Sequence, residues 1–250
     1  MSITTGIILL IAGFLTGAVN TVSAAGSLIS MPALMFAGLP IQVANGTNRI
    51  AIAIQCFTAT QSLKKAKPLE AKYLIQLTLA SLPGAVLGSW YAVSIDANIL
   101  HWTLRILVLL FIGLTIFNPI KTSIDLQEKL SKKQKWGGII AFFFIGIYGG
   151  FIQAGTGFFM MATSLALHRF PMPKTNYIKA FVMLSYTIIA LAVFVYHDMV
   201  DWPYGILLSI GGAAGAWITG KWSLAASPIA TKITIVSILV LLSIKLWWPN

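Results

Sequence analysis

Apolar residues run through this chain in ten blocks rather than in the alternation of a strand or the single stripe of a surface helix. The blocks cover residues 4–22, 26–37, 41–62, 71–93, 98–117, 136–153, 157–168, 174–197, 203–222 and 229–247. Eight of them approach the ~20 residues that a helix needs to cross a hydrocarbon core. Two, 26–37 and 157–168, are too short to cross as straight helices, and each falls second in a group of five. Whether these two cross fully or re-enter is left open by their length. Segments of about ten alternating residues, the mark of a transmembrane barrel, are absent from the sequence. The pattern predicts an all-α polytopic membrane protein with about 8–10 membrane segments.

Composition agrees. Of the 250 residues, 58% are hydrophobic and 9% are charged, against roughly 25% charged in a soluble domain. The net charge of +11 would suggest a nucleic-acid partner in a soluble protein. Here the basic residues have a simpler explanation. "KKAK" at 64–67, Lys72, the run "KTSIDLQEKLSKKQK" at 121–135, Arg169, Lys174, Lys221 and Lys232 all fall on one face when each long segment crosses. The positive-inside rule makes that face cytoplasmic and places Asp96, Asp198, Asp201 and both termini outside. No nucleic acid is expected; the lipid bilayer is. The N-terminal block lacks a charged leader and a clean cleavage site, and reads as a retained span. Tryptophans 90, 102, 202, 247 and 248 sit at outer ends, and 136 and 222 at inner ends, the depth their rings favour. Trp217 fits neither belt and is expected to pack inside.

The long polar connection at 118–135 divides the chain into membrane repeats 1–117 and 136–250, with five segments in each. An odd number makes the halves enter from opposite sides, so a shared fold would be an inverted repeat. Shifting the second half back by 131 positions sets Gly26 on Gly157, Pro40 on Pro171 and Asn45 on Asn176. "SLPGAVLGSW" also resembles "SIGGAAGAW". Gly84, Gly88, Gly211 and Gly215 in those stretches read as small-residue helix contacts.

Chemistry concentrates at two interruptions, "NTVSAAGS" (20–27) and "QAGTG" (153–157). A broken helix at membrane depth is tolerated only against protein or a wet cavity. The short helix that follows each break points a positive dipole end at whatever sits there, which favours an anion. Asn20, Ser23, Ser27, Gln153 and Thr156 exceed what packing alone requires. Three cations, Arg49, Arg105 and Lys179, lie within apolar segments, and no Asp or Glu lies in a segment interior. An anionic substrate can supply the missing counter-charge for Arg49 and Lys179, while Arg105 reads as structural. Cys56 is the single cysteine, and the three histidines lie near segment ends. The sequence shows no G-x-S-x-G, H-E-x-x-H or Walker A pattern. No enzyme activity, metal or cofactor is expected.

"GFLTGAVNTVSAAGSLISMPAL...GLPIQVANGTN", its echo "GIYGGFIQAGTGFFMMATSLAL...FPMPKTNYIKA" and the polar central loop resemble the sulfite exporter TauE/SafE family of membrane permeases over essentially the whole chain. The resemblance implies a duplicated-half fold that carries small sulfur-containing anions such as sulfite or organosulfonates across a bacterial-type inner membrane. It assigns binding to Ser23, Gly26 and Ser27 in the first break, to Gln153, Gly155, Thr156 and Gly157 in the second, and to Asn45, Thr47, Asn48, Arg49, Asn176 and Lys179 on the helices that follow. Asn20 joins them from the residues alone. The chain departs from the family pattern at "SAAGS" and at Asn176–Tyr177, where the ligand would lie. The exact anion, the transport direction, a coupling ion (H+ or Na+) and a homodimer are left open. So are an anion channel, a carrier of non-sulfur small organic anions and a membrane subunit serving a partner enzyme.

Overall fold

A computed structural model describes residues 2–23, 26–63, 71–117, 130–222 and 228–247, with side chains left out at 21–23, 62, 219–222, 228–235 and 238. The basic cluster at 64–67 and most of the connection 118–135 lie outside the described residues, as does Trp248. The described residues form ten helices and no strand. They are α1 (Ile3–Ser23), α2 (Ser27–Phe36), α3 (Ile41–Ser62), α4 (Ala71–Ser94), α5 (Ala97–Phe117), α6 (Lys132–Ile152), α7 (Thr156–Ala166), α8 (Met172–Tyr196), α9 (Trp202–Trp222) and α10 (Pro228–Trp247). Each apolar block is thus one helix.

The largest boundary difference is at α6, which begins at Lys132, one turn inside the polar connection. The cause is local. Ser131 accepts from the Gln134 amide at 3.2 Å while Gln134 Oε1 accepts from the Ser131 amide at 2.9 Å, a reciprocal capping box. It satisfies two of the four orphan donors of a helix start. The short helices have 10 and 11 residues, so at 1.5 Å per residue each reaches about 15 Å, half a hydrocarbon core.

Packing pairs helices from different halves of the sequence. The closest seams are α4 with α6 and α1 with α9; α3 packs on α8 and α9, α4 also on α8, and α5 on α10. These pairs keep their pattern when α1–α5 are exchanged in order with α6–α10. The seams are made of glycine. A Cβ on Gly84 would meet the Phe143 carbonyl, and one on Gly88 the Ile147 carbonyl. On the other seam, Cβ atoms at Gly211 and Gly215 would meet the carbonyls of Leu10 and Phe14. Those four glycines therefore serve backbone approach, as the sequence suggests. The reverse side of the α9 seam corrects one expectation. Trp217 is exposed, because α9 gives α1 its small residues and turns this ring outward.

Charged and aromatic groups at the rim are tied to packing. Arg105 lies over the rings of Trp102 and Trp247 at 5.2 and 5.7 Å. His168 Nε2 is 2.9 Å from the Tyr73 hydroxyl, which donates to the Lys135 carbonyl at 3.1 Å. Together they knit the start of α4, the start of α6 and the end of α7.

The seams predict a sharp contrast. Gly88→Val should cost about 1–3 kcal/mol as an overpacked contact. Gly113→Ala, in the middle of α5 with open space around its Cα, should gain ~0.5–1 kcal/mol. Thermal unfolding of the detergent-solubilised variants, followed by tryptophan fluorescence, checks both signs.

Candidate functional site

The two breaks meet. Ser27, the first residue of α2, donates its hydroxyl to the Gln153 carbonyl at 3.3 Å and accepts from the Gly155 amide at 3.2 Å. One side chain thus joins the starts of both half-length helices across 126 residues of sequence. Among the described residues neither start has a capping side chain on its N-cap residue: α2 opens on Gly26 and α7 on Gly155. Helix starts ordinarily recruit Ser, Thr, Asp or Asn for that purpose. Here two positive dipole ends lie side by side without one.

Glycine is required at each start for a different reason. Gly155 has φ +71°, and a Cβ there would run into the Phe111 ring. Gly26 has an ordinary helical φ of −60°. What it needs is room, because a Cβ would meet the Thr16 carbonyl and the Asn20 side chain.

The two breaks are closed by different chemistry. In the first break Asn20 accepts from the Gly26 amide at 2.8 Å, and its Nδ2 donates to Gln55 Oε1 at 2.7 Å. This is a neutral amide pair between α1 and α3. In the second, the carbonyls of the last turn of α6 accept from α3. Asn45 Nδ2 donates to the Phe151 carbonyl at 2.7 Å. Arg49 Nη1 donates to the Gly149 carbonyl at 3.1 Å and to Gln153 Oε1 at 3.3 Å. Its Nη2 donates to the Gly150 carbonyl and to Asn45 Oδ1 at 3.4 Å. Arg49 is fully buried, and its guanidinium carbon sits 4.6 Å from the centre of the Phe194 ring. Among the described residues all its hydrogen-bond acceptors are uncharged oxygens, and its Nε has no partner.

Gln153 is the hinge of this arrangement. Its backbone is left-handed, with φ 33°. Its Nε2 donates to Thr187 Oγ1 at 2.6 Å, its Oε1 accepts from Arg49, and its carbonyl accepts from Ser27 and from Thr156 Oγ1 at 2.9 Å. Gly157 follows in the first turn of α7 and is buried.

The structure therefore gathers Asn20, Gly26, Ser27, Asn45, Arg49, Gln153, Gly155, Thr156 and Gly157 around the two breaks. Ser23 ends α1, with its side chain outside the described residues. Thr47 is turned elsewhere and accepts from the Asp201 amide at 2.9 Å, at the start of α9. Asn48 is buried with Oδ1 unpartnered, and Asn176 is half-buried near the start of α8. Lys179 does not join Arg49. Its ammonium has the Met161 sulfur as its hydrogen-bond partner, at 3.9 Å. The sequence reading missed Gln55, Thr187 and Tyr186. Tyr186 is fully buried beside Gly149 with its hydroxyl unpartnered. Each is a polar group inside an otherwise apolar helix, which is the signal that marks it.

Comparison with known proteins places the whole chain. The profile of the family described as "Sulfite exporter TauE/SafE" matches residues 9–246. The chain is 26% identical over 239 residues to the "Probable membrane transporter protein ORF9" of a Sinorhizobium species, covering 95% of this chain and 90% of that one. It is 25% identical over 214 residues to a "Probable membrane transporter protein" of Haemophilus influenzae, covering 86% and 83%. It is 26% identical over 250 residues to the "Probable membrane transporter protein YfcA" of Escherichia coli K12, covering 97% and 90%. No solved structure gives a significant match.

The amide pair of the first break makes a testable unit. Gln55→Leu leaves Asn20 Nδ2 without its acceptor and should cost about 1–3 kcal/mol. Asn20→Ala in the same chain should then cost less than it does alone by the worth of the shared bond, the remainder being the lost acceptor of the Gly26 amide. Unfolding midpoints of the two single variants and the double variant give the coupling directly.

Proposed function

The chain belongs to the sulfite exporter TauE/SafE family, and we propose from that premise that it is a secondary carrier for a small sulfur-containing anion. The family and the apolar helices make it a multi-pass membrane transporter. The observation that carries the finer reading is the pair of uncapped helix starts joined through Ser27. Two such starts present backbone N–H groups and partial positive charge to a common point, the arrangement that binds oxyanions at helix termini. Arg49, one layer behind, keeps a full positive charge in the same region. A sulfite or sulfonate head, tetrahedral or pyramidal and rich in acceptors, suits donors that converge from several directions. Ser27 and Thr156 add hydroxyls, and Asn20, Gln153 and Asn45 add amide groups. No covalent chemistry is assigned to the chain.

The order of packing supports two repeats of opposite sense, 1–117 and 136–250. In such carriers substrate sits near the midplane between repeats and is exposed alternately by rocking. The glycine seams join α1 to α9 and α4 to α6. The rocking bodies are therefore these mixed pairs rather than the two halves of the sequence. The basic connection at 118–135 lies on the cytoplasmic side of a bacterial-type inner membrane, with both termini outside, as the distribution of Lys and Arg requires.

A calorimetric and thermal-shift panel of sulfite, sulfate, thiosulfate, sulfoacetate and matched carboxylates should show saturable binding of a sulfur oxyanion. Ser27→Ala should weaken it about 3–10-fold, the worth of one hydrogen bond. Arg49→Ala should remove most of it. In liposomes, flux of the bound anion should saturate and show counterflow. Equal response to the carboxylates would remove sulfur from the reading, and ohmic current without counterflow would make the protein a channel.

A further inference from the structure

Arg49 does more than stand near an anion site. A helix that ends in buried surroundings leaves carbonyls without intrahelical donors and concentrates negative partial charge at its C-terminus. At the end of α6 the Gly150 and Phe151 carbonyls are of this kind, and the Gly149 carbonyl, which accepts from the Gln153 amide at 3.2 Å, keeps a second lone pair for a further donor. In transporters built on discontinuous helices, half-helix C-termini and unwound carbonyls of this kind coordinate a mobile Na+ or take up H+. In this chain the positions are taken. The Gly149 and Gly150 carbonyls, Asn45 Oδ1 and Gln153 Oε1 all accept from one guanidinium. The oxygen set is that of a hard-cation cage: neutral, converging, and drawn from backbone and side-chain amides. The cation in it is covalently attached.

The surroundings are built for it. Gly150 must be glycine because a Cβ would meet the Ala85 carbonyl on α4, and Gly149 because a Cβ would press on the Tyr186 ring and hydroxyl. With both side chains absent, α6 can settle between α4 and α8 and turn its last carbonyls toward α3. Phe194 adds its ring face to the guanidinium at 4.6 Å, a contact that favours any cation of this shape. No carboxylate is among the acceptors, so the group is not one half of an ordinary ion pair. Among the described residues the first break has no equivalent. There the amides of Asn20 and Gln55 close the gap, and in the repeat register Arg49 falls opposite Ala180.

We propose that Arg49 is a tethered cation that fills the carbonyl cage at the end of α6, so that the protein needs no mobile Na+ there. Removing the guanidinium then creates a vacant cation site rather than a mere cavity. This inference concerns the cage alone and does not depend on which anion is carried.

The test uses purified full-length protein in detergent, with no anion substrate added. Unfolding midpoints are measured in low-millimolar guanidinium, Na+, K+ and choline, all as chlorides at matched ionic strength, and radiolabelled Na+ binding is measured in parallel. Wild type should be indifferent to the cation and bind no Na+. Arg49→Ala should unfold at lower temperature, recover part of the loss saturably in guanidinium or Na+, and show no recovery in choline. Arg49→Gln should behave as Arg49→Ala does, and it replaces that variant should Arg49→Ala fail to accumulate. Selective stabilisation of wild type by Na+ would overturn the proposal, as would variants that respond to guanidinium and Na+ no more than to choline. Failure of the anion panel leaves these readouts unchanged, so the two readings fall separately.

Discussion

A helix cannot end buried inside a protein unless something answers its last carbonyls. Each backbone group left without a partner there costs several kcal/mol. At the end of α6 the answer is α3, which supplies Asn45 to the Phe151 carbonyl and Arg49 to those of Gly149 and Gly150. Much of the surrounding structure follows from that one requirement. The Arg49 guanidinium reaches two of these carbonyls at once, and one ring, Phe194, covers it. Gly149 and Gly150 let α6 approach Tyr186 and Ala85 closely enough to turn these carbonyls toward α3. The polypeptide can then leave α6 through a left-handed Gln153, whose side chain binds both Arg49 and Thr187.

The two breaks are held by different chemistry. Asn20 with Gln55 is a pair of neutral amides, each group of modest cost to bury when satisfied. Arg49 carries a net charge that its carbonyl partners soften without cancelling. Among the described residues one break thus has a neutral closure and the other a cationic one. The difference matters because the two half-helices start at the same point, around Ser27. Positive potential there comes from both helix starts together but from only one of the closures. Any ligand held at that point meets an asymmetric field on a near-symmetric frame.

Long elements were legible in the sequence because a span and a break leave opposite marks. Apolar runs near the length of a membrane named the helices, and the small polar clusters at 20–27 and 153–157 named the interruptions. Gly84, Gly88, Gly211 and Gly215 were legible as contacts by their four-residue spacing. Other features left no such mark. The start of α6 was hidden in a polar stretch because a capping box consists of loop-like residues. Trp217 was misread because a lone ring at mid-segment does not reveal which face meets lipid. Gln55 on α3 and the adjacent Tyr186 and Thr187 on α8 lie far from either break in sequence, and no local pattern joins any of them to one. The partners of Arg49 were the least legible. They are backbone carbonyls a hundred residues away, and a carbonyl has no letter in the sequence. From the absence of intramembrane Asp and Glu it follows that Arg49 lacks a carboxylate, not that it lacks acceptors.

That distinction bears on how such a protein can move. The seams that admit no added atom join α1 to α9 and α4 to α6, and close-packed helices of this kind slide past each other only with difficulty. Ser27 and Arg49 belong to α2 and α3, yet both hold the second break. Hydrogen bonds from one or two side chains exchange far more cheaply than a glycine seam parts, since each is worth about 1 kcal/mol net. Motion is therefore cheapest where these side chains cross between bodies, at the contacts of α2 and α3 with residues 149–155. Those are the same groups that gather around the helix starts. Whatever binds there competes directly with the bonds that hold the two bodies in their present relation, and so binding and rearrangement draw on a single set of donors.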